Sequence, residues 1–267
     1  MRYSGFYRAV GYIHNVAKQR WPIAMACDVE CDEIDRLRRA AAAGEDKPSY
    51  TACVTKAIGM AIAELSQQYP ELNSMIGRFL IWRWVRRFNG ISAGVAVSRE
   101  EEGLDRVFNL VIQEPQLLSL AELTAQLEHA SRGPAGEVPQ YAANQSMYKL
   151  PGFVQRIMLY LGATLPGLHQ KHWGTVSLTT VGKFGVDLQM VMPLTTPIQF
   201  GFGAVRKRPV VRGDQIVAAL TMNLSMAFDR RLLNGRPPGA LLGRVQHILA
   251  TADDGQWFEP LVSRSIR

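Results

Sequence analysis

The sequence has few cysteines and no long apolar run. No run reaches the roughly 18 apolar residues that a membrane-spanning helix needs. The first thirty residues also lack the apolar segment and cleavage site of a secretory signal. The three cysteines, Cys27, Cys31 and Cys53, predict reduced, buried thiols in a cytoplasmic protein rather than a disulfide framework. No histidine or cysteine partner stands at zinc-ligand spacing from them, so the sequence predicts no metal site.

Several catalytic motifs are also missing. The chain contains no GxGxxG, no phosphate-binding loop of the Walker type and no Gly-x-Ser-x-Gly elbow. Dinucleotide, triphosphate and α/β-hydrolase chemistry therefore have no support. The composition is otherwise ordinary: the 267 residues are 47% hydrophobic and 20% charged, which suits one large globular domain or two small ones.

The charge balance is positive but dispersed. Thirty basic and twenty-three acidic residues give a net charge of +7, which favours an anionic partner. The densest basic groups, Arg83 with Arg86 and Arg87, and the run 206–208, are short. They predict solvated strand edges and loops rather than a nucleic-acid surface. A small cofactor that carries phosphate would suit the same charge.

Apolar periodicity predicts several helices and strands. Residues 22–31 alternate like a strand, and Asp32 begins a helix that is expected to stop at Gly44. Residues 49–68 and 236–251 predict helices, and Ser119 with Glu122 forms the capping box of another that runs to about residue 131.

The middle of the chain is richer in turn residues. Asn89-Gly90 predicts a hairpin between strands at 79–88 and 91–97. Residues 132–152 hold Gly, Pro, Ser and Asn, which predicts a loop or a mobile lid, and a helix is expected at 153–163. Further strands are expected at 107–113 and within 174–228. Mixed strands and helices in this order predict an α/β layer fold around one core.

Five segments, in the same order along the chain, resemble one family. Residues 174–185, GTVSLTTVGKFG, resemble the GTFTISNLGxFG segment of the dihydrolipoyl acyltransferases, the core subunits of 2-oxo acid dehydrogenase complexes. Residues 203–213, GAVRKRPVVRG, resemble the strand and turn that follow, and residues 224–235, LSMAFDRRLLNG, resemble the LSLSFDHRxxDG signature. In the first half, residues 49–73 resemble the helix that ends in PELN, and residues 91–104 the strand that ends in a Gly-Leu turn.

The resemblance implies an architecture. The family fold is similar to that of chloramphenicol acetyltransferase: an α/β fold of two layers, with a mixed β-sheet packed with helices, which works as a trimer. Its active sites lie at subunit boundaries, where coenzyme A and the acyl acceptor enter a channel from opposite ends. We therefore expect a homotrimer, alone or assembled into a larger cage, that binds coenzyme A or acyl-coenzyme A and a small-molecule acceptor. An active paralogue or dehydrogenase-complex subunits are further expected partners, whereas nucleic acid and membranes are not.

The chain departs from the family pattern in its domains. Residues 1–267 are expected to form a single catalytic-core domain without a lipoyl domain or a peripheral-subunit-binding domain, and so without a covalent lipoyl group. Residues 133–173 look longer than the family's connection, which suggests an extended lid or insert.

The second departure is chemical. The family histidine that removes the proton from the attacking thiol aligns with Arg230, whose guanidinium stays protonated and has no lone pair to accept a proton. By the same resemblance, Thr179 is the hydroxyl that donates to the oxyanion, Asn234 a supporting residue, and Asp229 an orienting residue that pairs with an arginine such as Arg231. Loss of a general base typically costs about 10²–10⁴ in rate, which suggests a degenerate active site.

Three outcomes follow from this departure. The chain has lost activity and keeps the fold as a non-catalytic trimeric scaffold, or its acceptor needs no base, or another histidine enters the site. His169 and His172, just before the Thr179 strand, are the best substitutes. The leading hypothesis is a free-standing acyltransferase-fold protein that handles a coenzyme A or carrier thioester, with Arg230 as a cation facing the substrate or as a residue of a retired site. Standard acetyl transfer is then expected to be impaired or altered.

Overall fold

The fold is described here from a computed structural model, which covers residues 5–17, 22–41, 47–79, 81–101, 104–252 and 257. The helices are α1 (Gly5–Ala17), α2 (Asp32–Ala41), α3 (Tyr50–Leu65), α4 (Leu120–Arg132), α5 (Pro139–Lys149), α6 (Gly152–Thr164), α7 (Pro166–Trp173) and α8 (Arg236–Thr251). The strands are β1 (Pro22–Glu30), β2 (Ser74–Phe79), β3 (Trp82–Arg87), β4 (Ser92–Glu101), β5 (Leu104–Gln113), β6 (Val176–Thr180), β7 (Ile198–Phe202), β8 (Arg206–Arg212) and β9 (Gln215–Asp229).

One mixed sheet organises the chain. Its strand order is β1-β9-β7-β6-β4-β5, and β8 pairs with the first half of β9. The central pairs β4–β6 and β6–β7 are parallel, whereas the others are antiparallel. The predicted α/β fold, a mixed sheet packed with helices, is therefore confirmed.

The sheet's two faces differ in chemistry because its strands alternate. One face is apolar, as Leu178 in β6, Phe200 in β7 and Leu224 in β9 show, and helices α3, α4 and α8 pack against it to form the main core. The other face presents small or polar residues at the positions between, such as Thr179 and Ser225. Helices α5 and α7 lie against β5 on this polar side, and α1 packs on α6.

The structure corrects the loop predicted at 132–152. Its Gly, Pro and Asn residues form a short 3₁₀ turn at Ala135–Glu137 followed by α5. Pro139 stands in the first turn of α5, where a missing N–H costs nothing. The Gln140 amide exchanges two hydrogen bonds with the backbone of Val111, at 3.0 and 3.1 Å, and Tyr141 packs edge-on against Phe108. These tertiary contacts select a helix that the local composition does not predict.

The predicted hairpin at Asn89-Gly90 is also wrong. Gly90 does take a left-handed conformation, with φ of 86°, but β3 pairs with β2 in a separate two-stranded sheet. β4 instead pairs with β5 over its whole length and with β6. The turn therefore connects the small sheet to the large one. β5 pairs with all ten residues of β4, whereas β3 has only six residues.

The other predicted elements lie close to their expected places. α3, α6, α8 and β1 agree with the sequence to within a few residues. α4 begins with the predicted capping box of Ser119 and Glu122. The predicted stop of α2 at Gly44 lies outside the described residues.

The cysteines and Lys56 belong to the packing of the core. Burial raises the pKa of Cys27 to about 11 and the pKa values of Cys31 and Cys53 to about 12, so these thiols stay protonated. Lys56 is fully buried, and its ammonium donates to the carbonyl oxygens of Gln116, at 3.2 Å, and Leu118. Burial lowers the pKa of Lys56 to about 8.

Neither a metal cluster nor a membrane helix is present in the part of the chain that the structure describes. No three or more His, Cys, Asp or Glu side chains there are gathered closely enough to hold a metal ion. None of the helices there combines the length and the apolar character required to cross a bilayer.

Candidate functional site

Three of the four predicted site residues lie at the end of β9 and in the turn that follows it. The turn is closed by the backbone N–H groups of Leu232 and Leu233, which donate to the carbonyl oxygen of Asp229 at 3.0 and 3.1 Å. Leu233 is fully buried and anchors the turn in the main core. Asp229, Arg230 and Asn234 are therefore brought together by local structure.

Asp229 forms the predicted pair with Arg231. The carboxylate is buried, and it accepts from Nε of Arg231 at 2.9 Å and from a terminal guanidinium nitrogen at 2.5 Å. The backbone N–H of Arg231 donates to the same carboxylate at 3.1 Å. Such a two-pronged contact fixes direction as well as distance, so it holds the turn in one conformation.

Arg230 points to a different partner. Its guanidinium donates to the side-chain oxygen of Asn234 at 2.5 Å and to the carbonyl oxygen of Leu233 at 3.5 Å. Both Arg230 and Asn234 are exposed. Within the described residues no carboxylate lies within ion-pair distance of Arg230. The turn thus presents a positive charge that no carboxylate of the described residues neutralises.

Thr179 lies elsewhere on the sheet. It sits near the end of β6, and the strand registers align it with Gly201 of β7 and Ser225 of β9. Two strand spacings and five residues of β9 separate it from Arg230, which amounts to roughly 20 Å between Cα atoms. One protomer therefore does not bring Thr179 into contact with the turn that holds Arg230 and Asn234.

Thr179 instead lines a cavity on the polar side of the sheet. The cavity has a volume of about 450 Å³, is partly open to solvent, and is lined by residues of strands β4 to β7 and of the helices α1, α5, α6 and α7. Its polar lining includes Asn109, Ser177, Gln199 and His172 besides Thr179. A hydroxyl, amides and an imidazole in one space can bind a polarised carbonyl and accept a proton.

The small residues of the sheet explain why the cavity is there. Gly94 and Ala96 of β4 line it, and Gly94 stands beside Ser177 of β6. Continuing that register by one pair places Ala96 beside Thr179. A side chain on Gly94 would collide with the carbonyl oxygen of Trp173, only 2.2 Å from where its Cβ would stand. The small side chains thus let α7 approach the sheet and leave room beside Thr179.

The two histidines predicted as substitutes, His169 and His172, lie in different environments. His169 is fully buried; its ring stacks on Phe88, at 5.9 Å between ring centroids, and meets Trp173 edge-on, at 5.4 Å. His172 lines the cavity that Thr179 lines. Its pKa is lowered from the ordinary value by burial and, to a smaller extent, by the charge of Lys171, which favours the neutral imidazole.

Asn109 holds the end of the helix that carries His172. Its side-chain amide donates to the carbonyl oxygens of His172 and Trp173, both at 3.3 Å. Gly174 ends α7 with a φ of 85°, a conformation that suits glycine. Sequence reasoning missed Asn109, although an amide within the apolar alternation of β5 was a usable signal.

Comparison with known proteins places these features in a family context. Residues 167–254, which include α7, β6 and the turn after β9, match the model of the 2-oxoacid dehydrogenases acyltransferase catalytic domain. The chain resembles the catalytic domain of the dihydrolipoyl acyltransferases. The resemblance predicted from the sequence is confirmed.

Curated relatives extend the match in sequence. The dihydrolipoyllysine-residue acetyltransferase component of the acetoin cleaving system of Bacillus subtilis is 36% identical over 85 residues, 31% of this chain and 21% of the relative. The succinyltransferase component of the 2-oxoglutarate dehydrogenase complex of Haemophilus influenzae is 25% identical over 194 residues, 71% of this chain and 38% of the relative. The chain thus spans between about a fifth and two fifths of these relatives.

Solved structures show the same fold. A probable dihydrolipoamide acetyltransferase from Listeria monocytogenes has a TM-score of 0.66 at 21% identity, with 93% of each chain covered. The Azotobacter vinelandii dihydrolipoamide acetyltransferase, in a study of a serine, a histidine and an asparagine in its catalytic mechanism, has a TM-score of 0.65 at 18% identity, over 92% of this chain and 88% of that one. A chloramphenicol acetyltransferase has a TM-score of 0.50 at 14% identity, over 90% and 94%.

Proposed function

We propose that the chain is an acyltransferase that moves an acyl group between a coenzyme A thioester and a small acceptor. The observation that carries the proposal is the shared cavity of Thr179 and His172. Thr179 stands where the family sequence has a hydroxyl residue, and His172 adds an imidazole that the family signature would not predict at this position.

The two residues have complementary roles in acyl transfer. The neutral imidazole of His172 takes the proton of the acceptor thiol, whose sulfur attacks the thioester carbonyl carbon. The carbonyl oxygen becomes an oxyanion and accepts a hydrogen bond from the Thr179 hydroxyl. When the intermediate collapses, the carbon–sulfur bond to coenzyme A breaks, and the imidazolium returns its proton to the leaving thiolate.

Arg230 has a separate role in this proposal. In the Azotobacter vinelandii enzyme, the histidine and asparagine named for the catalytic mechanism are four positions apart. Arg230 and Asn234 have the same spacing, and here they are hydrogen-bonded to each other. A permanent cation that pairs with no carboxylate among the residues the structure describes suits a phosphate or carboxylate of the substrate, so we assign Arg230 to substrate binding and not to proton transfer.

An exposed apolar ridge supports assembly into a trimer. Between β6 and β7, every second side chain is apolar and exposed: Phe184, Val186, Leu188, Met190 and Met192. Contiguous exposed apolar surface of this kind marks an interface between proteins. Symmetric closure would cover the ridge and would bring the turn with Arg230 toward the cavity of a neighbouring subunit. Further assembly into a cage remains a prediction.

A pair of Thr179 variants tests the proposed function. Thr179→Val keeps the shape but removes the hydroxyl, and turnover with acetyl-coenzyme A and a dithiol acceptor is expected to fall by about 10²–10³. Thr179→Ser keeps the hydroxyl and should retain most of the activity. If the wild-type protein transfers no acyl group from acetyl- or longer acyl-coenzyme A, the proposal is wrong and a non-catalytic scaffold remains. If the wild type is active and both variants behave like it, the Thr179 hydroxyl is not the oxyanion donor and the proposed mechanism is wrong.

A further inference from the structure

The cavity beside Thr179 has an apolar side. Helices α1, α5 and α6 and the segment before β7 contribute mostly aliphatic and thioether side chains to it, namely Val10, Ile13, Met147, Met158, Leu159 and Leu194. The sheet contributes polar groups, among them Ser177, Thr179 and Gln199. Asn144, Tyr148 and Thr195 also line the helix side, so that side is mostly but not wholly apolar. The space therefore has polar groups on the sheet that suit a carbonyl and a mostly apolar end between the helices that suits a hydrocarbon.

The volume exceeds what an acetyl group needs. At about 450 Å³ the cavity falls within the roughly 300–1,000 Å³ of sites that enclose drug-sized ligands. A two-carbon acyl group at Thr179 would leave most of the apolar lining without a partner. Met147 and Met158 are flexible, polarisable side chains that adapt to ligands of different lengths.

We propose that this cavity binds the chain of a medium-length apolar acyl group, with its thioester carbonyl at Thr179 and its hydrocarbon between α1, α5 and α6. This inference rests on the proposed function, because it takes Thr179 as the residue at the carbonyl. It adds the substrate class: an apolar acyl thioester longer than acetyl. The segment expected from the sequence to be an insert, residues 133–173, supplies much of the chain-binding wall.

Two neighbouring positions on α6 provide a matched test. Met158 and Ile157 are adjacent and similarly exposed, at 48% and 55%, and only Met158 is among the residues that line the cavity. Met158→Trp is therefore expected to fill the apolar end, while Ile157→Trp adds the same side chain outside it. Thermal unfolding of both variants verifies that each one is folded.

The experiment measures dissociation constants of the full chain for acetyl-, hexanoyl- and octanoyl-coenzyme A and for free octanoate by calorimetry. Each buried methylene is expected to tighten binding by about fourfold, so octanoyl-coenzyme A should bind at least tenfold more tightly than hexanoyl-coenzyme A. Met158→Trp should remove most of that preference, whereas Ile157→Trp should keep it as in the wild type.

Three results would overturn the inference. One is equal affinity for acetyl- and octanoyl-coenzyme A. Another is a chain-length preference in Met158→Trp that equals that of the wild type. The third is free octanoate that binds as tightly as octanoyl-coenzyme A, which would indicate a fatty-acid site. Turnover separates the two proposals. If binding depends on chain length but no acyl group is transferred, the acyl-chain site is supported and the proposed function is refuted. If acetyl transfer depends on Thr179 but binding shows no chain-length preference, the proposed function is supported and the acyl-chain site is refuted.

Discussion

The carboxylate of Asp229 is buried and bound by three N–H groups of Arg231, two from the guanidinium and one from the backbone. The contact joins residues two positions apart, so it shapes the turn directly. Because Arg230 lies between them, the pair also sets the direction in which Arg230 leaves the sheet. The turn after β9 is thus held in shape by a contact that does not involve the side chain of Arg230.

Removing this carboxylate is expected to destabilise the protein. Asp229→Ala leaves three donors of a partly buried arginine without their acceptor, which should lower the free energy of unfolding by about 1–3 kcal/mol in urea titrations. Glu64→Ala, which removes the carboxylate that Arg244 contacts at 2.8 Å on the surface, is the control and should cost less than about 1 kcal/mol. If both variants lose the same free energy of unfolding, burial of the Asp229–Arg231 pair does not increase its contribution to stability.

The variant Arg230→His tests whether the protein lacks a general base at position 230. Since the account assigns the base to His172, a new imidazole at 230 should raise acetyl transfer by less than about tenfold, well below the 10²–10⁴ that a restored general base supplies. The KM for the coenzyme A thioester should rise because a permanent cation is lost. A gain of about a hundredfold in turnover would refute the assignment of His172.

The apolar ridge between β6 and β7 predicts a change of oligomeric state on substitution. Leu188 and Met190 are 50% and 59% exposed, so Leu188→Glu or Met190→Glu should leave the protomer folded and convert a trimer into monomers by light scattering. The matched control is Val211→Glu, at the exposed end of β8, which is 71% exposed and should not alter the mass. A monomeric wild type would contradict the trimer proposal outright.

Much of the fold followed from local pattern, and the failures have identifiable causes. α4 and β1 were predicted well because capping and alternation are local signals. α5 was missed because its stability comes from Gln140 and Tyr141, which contact β5 about thirty residues away in sequence. The wrong hairpin at Asn89-Gly90 shows that a turn signal gives the bend but not the strand partner.

The sequence suggested candidate site residues but not their arrangement. The resemblance assigned roles to Thr179, Asp229, Arg230 and Asn234, which stay predictions, whereas the expected contact of Asp229 with Arg231 is present in the structure. Thr179 and Arg230 are far apart in one protomer because of the order of the strands in the sheet. A short sequence motif does not contain this information. For the same reason, only the structure separates His172, in the cavity, from the buried His169, three residues earlier.

The pH dependence of turnover shows most directly whether His172 is the general base. The imidazole of His172 must be neutral to accept a proton, and burial together with Lys171 lowers its pKa from the ordinary value. The kcat/KM of the wild-type protein should therefore rise with pH through an apparent pKa below about 6.5 and stay level above it. His172→Gln should lose about 10²–10⁴ in kcat/KM and also lose this acidic limb, while His247→Gln, an exposed histidine on α8, should keep both. An acidic limb that persists in His172→Gln with little loss of rate would contradict the account.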